Sequence, residues 1–228
     1  MRSVGIAVPA FNEEENLEKV VESLVAELQH SMLHFRILII NDGSSDNTLA
    51  IANILSQRYL SVEVLPFKRN HNLGHCLRES IAFFEEEDYW TWLPSDGEVP
   101  PEVIVKMLKL KNENNIIIST PLSSVRMRGR LRVLLSEIFQ AYGRFLTKTT
   151  VKYFNCPSVY NLSELKEMEL FSKGFTINFE ILSNSLDKSQ EYIEVPFNLN
   201  ERISGEAKAL RLKNILQVLN FIVKRRWL

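Results

Sequence analysis

Three short polar segments carry the residues able to do chemistry. In Pro94-Ser95-Asp96-Gly97-Glu98 two carboxylates stand two positions apart beside a glycine, a spacing that lets Asp96 and Glu98 face one hard cation. Magnesium or manganese held there keeps open positions for diphosphate oxygens. The same residues also read as an acidic turn ahead of a helix opened by Pro100-Pro101, with Glu98 near its dipole. Asn41-Asp42-Gly43-Ser44-Ser45-Asp46 follows an apolar run, so Asp42 stands over the end of a strand. A carboxylate there can accept hydrogen bonds from nucleobase N–H groups or ribose hydroxyls. An Asx turn that stops the strand and starts a helix is the competing account of the same residues. The third segment, residues 9–16 (PAFNEEEN), joins the first strand to the first helix.

Basic groups complete the set. Arg126, Arg128, Arg130 and Arg132 alternate ahead of a long helical pattern, and Arg202 and Lys208 flank Gly205. Guanidinium and ammonium groups in such loops can clamp a diphosphate or an acceptor phosphate, and a solvated loop face is the alternative for the arginine run. Neither GxxxxGK[ST] nor GxGxxG after the first strand occurs, so those two routes to a nucleotide are excluded.

Apolar residues at 4–8, 35–40, 61–65, 89–93 and 115–119 predict strands. Helical periods at 14–28, 46–55, 74–84 and 101–110 alternate with them, and Asp46 is placed to cap the second helix. Repeated βα units predict an α/β fold with a mostly parallel sheet flanked by helices, whose ligands collect beyond the carboxyl ends of the strands. After Thr120 the rhythm changes to a long helix over 131–146, short helices and one strand at 191–195. No Gly-, Pro- or Ser-rich linker interrupts the chain, which predicts one domain over 1–228.

The 228 residues are 45% hydrophobic, which excludes a disordered chain, and 27 basic against 28 acidic residues argue against a bulk nucleic-acid binder. Cys76, Cys156 and four histidines, His30, His34, His71 and His75, lack zinc-ligand spacing. No window approaches the roughly 18 apolar residues of a membrane span, and the N-terminus lacks a signal-peptide core. A cytoplasmic protein is expected. Residues 209–228, ALRLKNILQVLNFIVKRRWL, have the pattern of a basic amphipathic helix. Such a helix either lies on the inner face of an anionic membrane or packs on its own domain or an oligomer partner.

Taken together, the motifs resemble those of the GT-A glycosyltransferases of family 2, of the dolichol- or polyprenol-phosphate mannose synthase type. VPAFNEEENL (8–17), NDGSSDNT (41–48), NHNLGHCLRESI (70–81), LPSDGEVPPEVI (93–104) and EVPFNLNERISGEAK (194–208) follow the family's order. The resemblance implies a Rossmann-like GT-A fold with a nucleotide-binding half at 1–120 and an acceptor-side half at 121–208. It implies metal-dependent, inverting transfer of a sugar from a GDP- or UDP-linked donor, with polyprenyl phosphate or a lipid-linked glycan as acceptor and Mg2+ or Mn2+ as cofactor. By the same resemblance Pro9, Phe11, Glu13, Asp42 and Asp96 contact the nucleotide, and Asp96 and Glu98 the metal. Arg132, Arg202 and Lys208 contact phosphates, so Asp96, Arg132 and Arg202 are the expected catalytic set.

Two departures stand out. Pro94 replaces the first carboxylate of the family's DxD, and Asn155-Cys156-Pro157-Ser158-Val159-Tyr160 replaces an aspartate followed by a Ser-Gly-Phe-Arg run. A phosphate acceptor is already an anionic nucleophile and needs no base. A hydroxyl acceptor needs one, for which Glu164 and Glu180 are candidates. A sugar-nucleotide-binding protein with impaired catalysis is the rival from another class, motivated by Pro94. Nucleotidyl transfer would want a basic glycine-rich loop where residues 9–16 are acidic, and a glycosidase pair is disfavoured because these carboxylates sit in turns suited to a cation.

Overall fold

The computed structural model describes residues 2–31, 33–113, 115–122, 130–187 and 191–200, with the backbone alone for 130–135. The first half alternates strand and helix: β1 (Ser3–Ala10), α1 (Leu17–Gln29), β2 (His34–Asp42), α2 (Thr48–Arg58), β3 (Val62–Phe67), α3 (Leu73–Phe83), β4 (Tyr89–Trp92), α4 (Glu102–Leu110) and β5 (Asn115–Pro121). The second half holds α5 (Arg130–Thr147), β6 (Ser158–Asn161), α6 (Leu162–Lys166), α7 (Ile177–Asp187) and β7 (Glu191–Phe197).

The sheet has seven strands in the order β3-β2-β1-β4-β6-β5-β7. Strands β1 to β4 run parallel, β7 runs parallel to β5, and β6 alone is antiparallel to both of its neighbours. This is the expected α/β architecture, a mostly parallel sheet between helical layers.

Strand β2 shows why the sequence folds this way. Ile37, Leu38, Ile39 and Ile40 are all fully buried, as an interior parallel strand covered on both faces requires. Alternate residues feed two apolar layers. Ile37 and Ile39 join Val4, Ile6 and Val8 against Leu17, Val21 and Leu24 of α1, and Leu38 and Ile40 join Cys76, Leu77 and Ile81 of α3. Each such side chain contributes about 1.5–3 kcal/mol on leaving water, which holds strand and helices in one register.

Strand β6 departs from expectation. Its four residues, SVYN, pair with Tyr89 and Trp90 of β4 and with Ile117 and Ile118 of β5. It therefore sits between two strands that the βα alternation would make neighbours. A four-residue strand is too short for a period to register, and its place comes entirely from pairing on both sides. The expected strand at 191–195 is β7, extended to Phe197 on β5.

Candidate active site

Strands β1, β2 and β4 end at one edge of the sheet, and all three polar segments sit there. Pro9 pairs with Ile40 of β2 but lies beyond the β4 ladder, which stops at Ala7. Its missing N–H therefore costs no sheet bond. Its carbonyl instead accepts the Ser95 hydroxyl at 2.9 Å, which ties the end of β1 to the acidic turn.

The first two segments are stitched together by their own polar groups. Asn12, at φ 52°, donates its N–H to Ser44 Oγ at 3.0 Å, and its Oδ1 accepts the Ser45 N–H at 2.9 Å. The Glu13 N–H reaches Thr48 Oγ1 at 2.8 Å, and the Thr48 hydroxyl in turn donates to Asp46 Oδ1 at 2.6 Å. Glu14 Oε2 accepts the N–H of Asn47 at 3.0 Å and its side-chain amide at 2.8 Å. Asp46 Oδ1 also accepts the Thr48 N–H at 3.0 Å, but Asp46 stands one position before the N-cap of α2, which is Asn47 and whose own side chain makes no capping bond. Burial alone would raise the Asp46 pKa; the Thr48 hydroxyl and N–H and the Glu14 N–H outweigh it and hold the carboxyl below its ordinary value. Glu13 is half-buried and accepts the Asn16 side-chain amide at 2.8 Å.

Asp42 is only 4% exposed, and both of its oxygens hold the segment that follows β3. Oδ1 accepts the His71 N–H at 2.7 Å and Oδ2 the Asn72 N–H at 3.0 Å. Burial raises the Asp42 carboxyl above its ordinary pKa, with the two N–H groups pulling the other way. Gly43, at φ 69°, accepts no other residue readily, since a Cβ there would lie 2.4 Å from the Arg69 carbonyl carbon. Asp42 thus stands over the end of β2 as expected. The structure adds a role as the anchor of residues 69–72, and any hydrogen bond from a nucleoside would use the remaining lone pairs.

The acidic turn is fixed from three sides. Gly97 takes φ 75°, and Asp96 Oδ1 accepts the Glu98 N–H at 3.1 Å. The Asn200 N–H donates to the Glu98 carbonyl at 3.0 Å and its amide to the Gly97 carbonyl at 3.2 Å. Asp96 and Glu98 are both half-buried. Among the described residues no three His, Cys, Asp or Glu side chains gather as a cage for a metal. Two hard carboxylates suit a magnesium-type cation, which takes one or two from the protein and fills its shell with phosphate oxygens and water. The donor set fits that use and does not fit a closed all-protein metal site.

On the other half of the sheet, Pro157 accepts both the N–H and the hydroxyl of Ser119, at 3.2 and 2.6 Å. Residues 155–157 therefore lie at the same edge as the acidic turn. Arg132 belongs to the backbone of α5, with its side chain outside the described residues. Arg202, Lys208 and the segment 209–228 also lie outside them.

The two base candidates are corrected by the structure. Glu180 is 5% exposed, and its oxygens accept the N–H groups of Phe171 at 2.9 Å and Ser172 at 2.8 Å. It braces a loop. Glu164 follows β6, whose last residue Asn161 pairs with Tyr89 at the start of β4, the sheet edge opposite the site. Antiparallel pairing, invisible to a βα count, put it there. Sequence reasoning in turn missed Ser95, Asn12, Thr48 and Asn200 as structural ties; their polar types in turns were the available signal.

The model of the family described as glycosyl transferase family 2 matches residues 5–168, and the chain belongs to that family. It is 30% identical over 97% of its length to the dolichol-phosphate mannosyltransferase of Pyrococcus furiosus, of which it covers 63%. Against the undecaprenyl-phosphate 4-deoxy-4-formamido-L-arabinose transferase of Edwardsiella ictaluri it is 24% identical over 93% of its length, covering 65% of that protein. The chain thus spans less than two thirds of either relative. A crystal structure of glucosyl-3-phosphoglycerate synthase from Mycobacterium tuberculosis, with Mn2+, UDP-glucose and phosphoglyceric acid, superposes with a TM-score of 0.74 at 18% identity. That match covers 97% of this chain and 80% of the other and establishes the shared GT-A fold. Among the described residues no helix is long and apolar enough to cross a membrane.

Proposed function

We propose that the chain transfers a sugar from a nucleoside diphosphate sugar to an acceptor, with inversion at the anomeric carbon. The observation that carries this is the Ser95–Pro9 bond, which sets the acidic turn of β4 against the end of β1, beside the Asp42 turn of β2. A nucleoside on Pro9, Phe11, Glu13 and Asp42 would then present its diphosphate to Asp96 and Glu98. A Mg2+ or Mn2+ ion held by those two carboxylates would neutralise charge on the departing diphosphate. Arg132, Arg202 and Lys208 are assigned to phosphate oxygens, on the donor or on the acceptor. The acceptor oxygen attacks C1 opposite the leaving group as the C1–O bond breaks, and the nucleoside diphosphate leaves with the electron pair.

A phosphomonoester acceptor, polyprenyl phosphate, is favoured over a lipid-linked glycan. It supplies its own anionic nucleophile, whereas a glycan hydroxyl needs a base, and Glu180 is engaged by two N–H groups while Glu164 lies at the opposite sheet edge. The named relatives that use dolichol or undecaprenyl phosphate support the same choice. The chain is read as one domain, and work at the cytoplasmic face of a membrane follows from such an acceptor. Pro94, in place of a carboxylate, supports a second reading, a sugar-nucleotide-binding protein with impaired catalysis.

Calorimetry with UDP- and GDP-linked sugars, in manganese and then in EDTA, tests the donor assignment. One donor should bind at micromolar concentration with metal and at least tenfold more weakly without it. Asp96→Asn and Glu98→Gln should each remove most of that metal effect. Metal-dependent binding with no turnover on any phosphate acceptor would favour the second reading, and no binding by folded protein would overturn both.

A further inference from the structure

The chain returns to the acidic turn from its far end. After β7, Phe197 is 6% exposed in an apolar layer, its carbonyl accepts the Leu122 N–H at 2.8 Å, and half-buried Leu199 packs on the same layer. Those contacts deliver Asn200 to the turn after β4, 103 positions along the chain from Gly97. There Asn200 grips two successive peptide groups. Its side-chain amide donates to the Gly97 carbonyl at 3.2 Å, and its N–H donates to the Glu98 carbonyl at 3.0 Å.

Packing does not enforce this turn. Gly97 stands at φ 75°, and the nearest atom to a Cβ built there is Val20 Cγ2, at 3.7 Å. Polar ties fix it instead, with the Ser95 hydroxyl on the Pro9 carbonyl before the glycine and Asp96 Oδ1 on the Glu98 N–H across it. The Glu98 peptide is thus held at its N–H by Asp96 and at its carbonyl by Asn200. Asn200 is exposed, so its amide bond competes with water and adds little to global stability. Its consequence is direction. A magnesium-type cation demands near-ideal octahedral oxygens, and with Pro94 in place of a carboxylate the turn offers it only Asp96 and Glu98. With so few ligands, affinity depends on how well each is held in place beforehand.

We propose that Asn200 is a positioning residue for the cation that Asp96 and Glu98 would hold. It acts through the carbonyls of Gly97 and Glu98 rather than as a ligand. By fixing the Glu98 peptide it fixes the base from which the Glu98 carboxylate reaches toward that of Asp96. Arg202 follows two residues later, so the same two bonds join the start of the basic loop to the metal end of the site. This role rests on the transferase reading, and it adds to the acidic pair a residue from the exit of the last strand.

The test follows calorimetric binding of UDP and GDP to the full chain as Mn2+ is raised from an EDTA baseline, and reads the Mn2+ midpoint. Asn200→Ala removes the amide bond alone, and Asn200→Pro removes the N–H as well. Ser3→Ala is the control, since it removes bonds to Asp88 at the opposite sheet edge. The Mn2+ midpoint should rise roughly fivefold in Asn200→Ala, the worth of one hydrogen bond, and further in Asn200→Pro. In Ser3→Ala it should not move. Thermal melts run in parallel, and Asn200→Ala alone carries the test if Asn200→Pro does not fold. An unchanged midpoint in Asn200→Ala overturns the proposal. That includes a variant that binds less nucleotide at every Mn2+ concentration, the mark of a tie that merely holds the fold. A wild type whose nucleotide binding does not respond to Mn2+ overturns it too, and leaves donor binding standing. A wild type that binds neither nucleotide overturns the transferase reading, and the positioning role with it.

Discussion

At the residue scale, buried ionisable groups of this chain differ in what their burial does. Asp42 meets two backbone N–H groups, whereas the Lys111 ammonium hydrogen-bonds two backbone carbonyls. Lys111 is 1% exposed, its ammonium donates to the carbonyls of Asn112 and Asn115, and it lies 5.1 Å from the centre of the Tyr89 ring. Burial lowers its pKa from 10.5 to about 8, with Glu164 opposing that shift. The unfolded chain therefore binds more protons between pH 8 and 10.5, and stability from this group rises with pH across that window. Its full effect is on the order of 3–4 kcal/mol. Denaturant midpoints measured from pH 7.5 to 9, below the ordinary pKa of the buried Cys76 thiol, should show the rise in the wild type, and Lys111→Met should flatten it. The variant also leaves two carbonyls without their donor, so its stability at a single pH is not the diagnostic; the slope is.

At the scale of elements, the site is a set of turns bonded to one another and to the strand ends that carry them. Asn12 is central, because it combines a left-handed backbone with bonds to Ser44 and Ser45 of the next turn. Asn12→Gly keeps the backbone and loses the side-chain bond, at a cost of about 1 kcal/mol. Asn12→Ala loses the same bond and adds left-handed strain, so it should cost about 1 kcal/mol more. Chemical denaturation orders the two. Equal losses would mean that the turn relaxes out of its left-handed conformation. Donor affinity should fall in both, because the 9–16 segment is then free to move away from Asp42.

At the scale of the whole molecule, the mixed half of the sheet decides which later segments reach the acidic turn. Strand β6 brings residues 155–157 to the edge that holds the acidic turn, and Asn200 returns the chain to Gly97 and Glu98 after β7. The proposed work on a lipid-linked acceptor adds a surface, for which the basic run Lys224-Arg225-Arg226 is the candidate. Each such residue near an anionic bilayer is worth about 1 kcal/mol. Co-sedimentation with phosphatidylglycerol vesicles should therefore fall at least tenfold in Lys224→Glu/Arg225→Glu/Arg226→Glu, with neutral phosphatidylcholine vesicles as control. Equal sedimentation of both forms would remove the membrane surface from the reading.

The sequence by itself determined the parallel half of this protein. Strand β2 is legible because an interior parallel strand must be apolar on both faces, and α1 because Leu17, Val21, Leu24 and Leu28 recur at the helical period. The meeting of the turns after β1, β2 and β4 was legible because a parallel sheet sends all of its carboxyl ends to one edge, so order along the chain already implies proximity in space. The tertiary structure decided the rest. Four residues of β6 hold no period, and only pairing with β4 and β5 places them, sending Glu164 to the wrong edge for a base. Glu180 reads as a free acid in the sequence, and only the folded loop shows both oxygens taken by Phe171 and Ser172. The rings of Phe67 and His71 meet only in the fold, where the register of β3 against β2 and the bonds from the His71 and Asn72 N–H groups to Asp42 bring together segments distant in sequence.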